Sequence, residues 1–159
     1  MHQIPATSLW LGNASDLRNV PTMLRLGITA IVDLAIEEPV PVIPRTVSYC
    51  RFAVTDDGEN DPVLLMAAIT LTALLAEGQH STGICCSAGL SRSPVIAAAA
   101  LSVVLRRPMC EMLTLVFQHR AADVSPAFLA QVNDQVSNAK QQAGAGREPS
   151  EETRVARPN

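Results

Sequence analysis

The run Ile84 to Pro94 reads ICCSAGLSRSP, and within it Cys86 and Arg92 are separated by five uncharged residues, Ser87, Ala88, Gly89, Leu90 and Ser91. An apolar, strand-like segment (82–86) leads in, and an apolar, helix-like segment (93–106) leads out. A tight strand-to-helix loop turns several backbone N–H groups toward one point, and the helix adds its positive N-terminal end. Such a nest holds a phosphate dianion and stabilises a thiolate. Gly89 permits backbone angles that a Cβ would block. Arg92 is suited to grip two phosphoryl oxygens in a fork. Ser93 is placed to donate a hydrogen bond to a thiolate. The competing reading is an ordinary strand–turn–helix whose Gly and Ser are turn chemistry.

Two cysteines adjoin the loop, and the x5 spacing to Arg92 selects Cys86. Neighbours on a strand point to opposite faces. Cys86 is therefore expected to face the loop and Cys85 the packed layer behind it. Cleaving a phosphate ester also needs a proton for the leaving oxygen. The segment Thr55 to Asp61, TDDGEND, offers Asp56, Asp57, Glu59 and Asp61. Asn60 or Asp61 reads equally as a helix cap before Pro62.

The elements that must position these groups alternate between strand and helix. Ser8–Leu11 reads as a short strand ending at Gly12. Helical turns fill 13–26, with Pro21 in a first turn and Gly27 past the end. Segments 28–35 and 47–54 read as buried strands, separated by a loop holding Pro39, Pro41 and Pro44. Helices are expected over 62–77, 93–106, 109–120 and from Pro126 to Ala139, the last capped by Ser125. Leu71, Leu74 and Leu75 read as core, and Cys50 and Cys110 as buried small hydrophobes. The pattern argues for an α/β domain over residues 1–139 with a mostly parallel sheet. Residues 140–159 read as a disordered polar tail.

Composition sets the bounds. Apolar residues make up 48% of the 159 and aromatic residues 3%, so Ala, Leu and Val must fill the core. A net charge of −3 gives no basic field for nucleic acid. The longest charge-free apolar run, 62–76, falls short of the roughly 18 residues that a membrane span needs. Met1 to Leu11 lacks a basic start and an apolar stretch, so the expectation is a cytoplasmic protein with free thiols. His2, His80 and His119 do not cluster, so neither a metal nor another cofactor is expected.

CSAGLSRSP resembles the signature loop of cysteine-dependent protein phosphatases, specifically their dual-specificity branch. SLWLGNASDL, LGITAIVDLA and FAVTDDGENDP resemble that family's opening strand, next strand and general-acid loop. The resemblance spans about residues 7–132. It implies a central mixed sheet of about five strands flanked by helices, protein tyrosine phosphatase-like. It also implies Cys86 as nucleophile, Arg92 as phosphate clamp, Ser93 as an aid to thiolate departure, and the backbone of 87–91 as the phosphate cradle. Matching VTD to the family's Val-x-Asp selects Asp56 as the acid, with Asp57 the runner-up.

The chain departs from the family in places. Cys85 stands where relatives keep His. Ala35 stands where many carry a protective cysteine, and Ala127 where an Asn supports the loop. Arg120 lies near a position where relatives turn an Arg toward the pocket, though a helix-end Arg explains it as well. No Lys lies inside the loop, where relatives acting on phosphoinositides tend to place one. The implied substrates are phosphotyrosine and phosphoserine/threonine in proteins, or a small phosphomonoester. The alternatives are a catalytically weak or inactive phospho-ligand binding module, or another C-x5-R class. The acid's place one helix before the loop disfavours that last class.

Overall fold

The computed structural model describes residues 1–118 and 123–145. Among these residues, five strands form one sheet: β1 (His2–Gln3), β2 (Leu9–Asn13), β3 (Ala30–Asp33), β4 (Ser48–Arg51) and β5 (Thr82–Cys86). Their order is β1-β2-β5-β3-β4. The β2/β5, β5/β3 and β3/β4 pairs are parallel and β1/β2 is antiparallel. The sheet is thus mixed and mostly parallel, as expected.

Helices cover both faces, as parallel crossovers require. Helices α1 (Ala14–Arg18) and α2 (Val20–Arg25) lie on one side. On the other are α3 (Pro62–Glu77), α4 (Arg92–Val104), α5 (Met109–Phe117) and α6 (Pro126–Ala145). Strand alternation divides the core between the faces. Leu9, Leu11, Val32 and Ile84 join the cluster under α3, α4 and α6. Ile31 joins Leu17, Met23, Ile28 and Val47 opposite. Helix α4 is buried from Arg92 through Ser102, so Ala and Val do supply the centre.

Several local expectations hold. Pro21 sits in the first turn of α2, and Gly27 follows its end with φ of 69°. Asp61 caps α3, accepting from Val63 and Leu64 N–H.

Others are corrected. Strand β4 is not buried: it is the sheet edge, with Ser48 and Cys50 exposed. Cys110 of α5 is exposed too. Leu74 is 60% exposed rather than core, because α3 turns only its Leu65, Ala68, Ile69, Thr72, Ala73 and Ala76 side fully inward. Helix α6 runs on to Ala145, past its expected end at Ala139. Lys140, exposed on this helix, reaches back to α4, its Nζ donating to Ser102 Oγ at 2.8 Å. The rest of the expected tail, and the expected end of the preceding helix at Arg120, lie outside the described residues.

Candidate active site

Cys86 is the last residue of the central strand β5, and Arg92 is the first of α4. The loop between them lies at the carboxyl ends of three parallel strands, where open α/β sheets form their crevice. Its backbone is held from both sides: Ala14 N–H donates to Ser87 O and Asp123 N–H to Leu90 O. Gly89 takes φ of 76°, which only a residue without Cβ adopts freely. That turn aims its N–H at Cys86 Sγ, 3.2 Å away. Ser93 Oγ stands 3.3 Å from the same sulfur. Two hydrogen-bonding groups thus converge on one thiol.

Arg92 is 4% exposed and lies across the loop. Its Nη1 donates to Leu34 O and Val54 O, both at 2.9 Å, and to Glu37 Oε2 at 3.0 Å. Its Nη2 lies 2.8 Å from Glu37 Oε1 and donates to Ser87 Oγ at 3.2 Å. Nε sits 3.3 Å from Asp56 Oδ2, an ion pair without hydrogen-bond alignment, so this buried N–H has no hydrogen-bond acceptor among the described residues. A buried, unsatisfied guanidinium donor facing the cradle is a place prepared for an oxyanion.

The structure separates the two candidate acids. Asp56 faces the cradle and accepts from Ser91 Oγ at 2.6 Å. Asp57 turns away, accepting from Thr55 Oγ1 at 2.6 Å and Glu59 N–H at 2.9 Å. Those bonds hold the Asp57 carboxyl below the usual carboxylate range.

The acid loop itself is tied down. Asn60 closes it, accepting from Thr55 N–H at 2.7 Å and donating to Thr55 O at 3.0 Å. Gln131 of α6 then grips Asn60 on both its N–H and C=O. Ser125 Oγ donates to Asp56 O at 2.5 Å, and Ser125 N–H donates to Ser91 Oγ at 3.2 Å. Ser125 therefore links acid loop and cradle while capping α6 through Phe128 N–H. It takes up loop support where Ala127 offers no side-chain amide.

Cys85 points away from all of this, into the cluster of Leu17, Met23, Ile28, Ile31 and Val47. Burial pushes its thiol well above the ordinary range, and Asp16 and Asp33 add to the effect. It is a neutral packing group, and it forms no disulfide with Cys86.

The expected residues Cys86, Arg92, Asp56 and Ser93 are thus brought together around the 87–91 loop. Arg120 lies outside the described residues. The sequence reading missed Glu37, within the proline-containing loop after β3. Burial pushes the Glu37 carboxyl up, but hydrogen bonds from Arg92, its own backbone and Ser87 bring it below its ordinary value of 4.5. It also missed Arg51, whose Nη2 donates to Ala35 O, Ile36 O and Glu38 O and so fixes the turn that carries Glu37. The doubled acid in IEEP was the one available hint.

No protein-family model and no curated protein matches the chain. Solved structures do. Human DUSP28 superposes with a TM-score of 0.75 at 24% identity, covering 86% of this chain and 96% of that one. DUSP15 gives 0.74 at 21% identity, covering 92% and 93%. The fold is that of the dual-specificity phosphatases. PTPMT1, solved in complex with PI(5)P, is also similar, with a TM-score of 0.67 at 19% identity over 89% and 97%. Within this dual-specificity phosphatase fold, the present chain has Cys85 packed behind its cradle and Glu37 at its mouth.

Proposed function

We propose that the chain is a phosphomonoester hydrolase that works through a phosphocysteine at Cys86. The observation that carries this reading is the convergence on one thiol of the Gly89 N–H and the Ser93 hydroxyl, with the unsatisfied Arg92 Nε and the Asp56 carboxyl beside them. In the first step the Cys86 thiolate attacks phosphorus and the S–P bond forms as the ester P–O bond breaks. Asp56 gives its proton to the leaving oxygen. Arg92 and the backbone of Ser87, Ala88, Gly89, Leu90 and Ser91 hold the three equatorial oxygens. In the second step water attacks phosphorus and loses its proton to Asp56. The S–P bond breaks, with Ser93 donating to the departing thiolate, and inorganic phosphate leaves.

The substrates we assign are phosphotyrosine and phosphoserine/threonine in proteins. The cradle residues 87–91 carry no charge, which suits a single phosphoryl group better than a multiply charged headgroup. Hydrolysis of a generic aryl phosphate tests the activity. Wild type is expected to turn over and Cys86→Ser to show none. Asp56→Asn should lose about 10²- to 10⁴-fold in kcat, the usual worth of general acid–base catalysis. Asp57→Asn should stay close to wild type. Phosphate binding without turnover in wild type would instead identify a phospho-ligand binding module. A panel of phosphopeptides and phosphoinositides then tests the substrate class.

A further inference from the structure

Glu37 stands where an incoming phosphate must compete with it. Its Oε1 lies 2.8 Å from Arg92 Nη2, and its Oε2 accepts from Ser87 Oγ at 2.9 Å. Those two donors belong to the mouth of the cradle. Arg92 does not need Glu37 for its orientation, because Nη1 already rests on the carbonyls of Leu34 and Val54. The Glu37 side chain is 55% exposed, so it is free to rotate outward. Its backbone is not free, since Arg51 bonds the carbonyls on either side, and Glu38 pairs with Arg18.

We infer that Glu37 is an internal ligand of the Cys86 cradle, a specificity-determining carboxylate that competes with phosphate for Arg92 and Ser87. When a phosphoryl group enters, Nη2 of Arg92 and the Ser87 hydroxyl pass from Glu37 to its oxygens, and the carboxylate swings to solvent. Glu37 thereby weakens retention of the product and disfavours ligands of high negative charge. This inference rests on the phosphate-binding role proposed for the loop, though not on turnover.

The test is the dissociation constant of inorganic phosphate, measured by calorimetry on wild type, Glu37→Gln, Glu37→Ala and Glu38→Gln, with aryl phosphate hydrolysis followed separately. A unit charge just beyond the guanidinium opposes a dianion through partly exposed surroundings, so its removal should tighten phosphate binding about tenfold. Both Glu37 variants should show this gain. Glu38→Gln removes a charge from the same turn without touching Arg92 and should change binding less than about twofold. Unchanged or weaker binding in both Glu37 variants would overturn the inference and make Glu37 a brace for Arg92. An equal gain in Glu38→Gln would overturn it in favour of a diffuse charge effect. No binding by any variant would also overturn it. Tighter binding without hydrolysis would support it while removing the enzyme reading.

Discussion

Ser125 and Asp56 are joined by a 2.5 Å hydrogen bond from the Ser125 hydroxyl to the Asp56 carbonyl oxygen, across 69 residues of sequence. The same serine receives α6 and reaches the cradle through Ser91. The loop of Asp56 and the loop that follows Cys86 are thus tied together by one residue. Removing the hydroxyl in Ser125→Ala should cost about 1 kcal/mol of stability as a lost cap. It should also loosen Asp56, lowering kcat about tenfold, because small misplacements of a catalytic group are costly. Phosphate binding should hold. Thermal melts and steady-state kinetics on an aryl phosphate read the two effects apart.

Gly58 makes a sharper probe of the acid loop. It has φ of 82°, and a Cβ there would come within 2.8 Å of the Ala127 backbone carbon and oxygen. Backbone does not yield cheaply, so Gly58→Ala should push Asp56 away from the cradle. The expected outcome is a fall in kcat of about tenfold or more with the phosphate dissociation constant within about twofold of wild type. Loss of both together would mean that loop and cradle are one unit.

Cys85 should behave as buried packing, not as a partner for Cys86. Iodoacetamide on the folded protein should label the exposed Cys50 and Cys110, and leave Cys85 unmodified until denaturant is added. Peptide mapping by mass spectrometry shows which thiols react. Labelling of Cys85 in the native state would contradict its placement among Leu17, Met23 and Ile31.

The parts of the site that the sequence displays are those built from neighbours. The turn from β5 into α4 is contiguous, so the Cys86–Arg92 spacing, Gly89 and the lead-in strand were readable together. Asp61 as a cap was readable for the same reason. The contacts that Glu37, Ser125 and Gln131 make at the site were not, because their partners lie 55, 69 and 71 residues away, and locally Glu37 shows only as one of two adjacent acids and Ser125 only as a helix cap. The position of β4 depends on strand order, which β-branched composition does not encode, and so an apolar segment with two exposed side chains read as buried. The choice of Asp56 over Asp57 came from a resemblance. The structure adds a physical ground for it, since Thr55 and the Glu59 backbone hold Asp57 outward.

The most direct test of the account is to trap the covalent intermediate. Asp56→Asn, which slows its hydrolysis, is mixed with an aryl phosphate, quenched in acid and digested. The peptide containing Cys85 and Cys86 is then sequenced by mass spectrometry. The account predicts one phosphoryl group on Cys86 and none on Cys85, with the adduct absent from a Cys86→Ser, Asp56→Asn double variant. Turnover by wild type with no adduct on Cys86, or an adduct on Cys85, would contradict it.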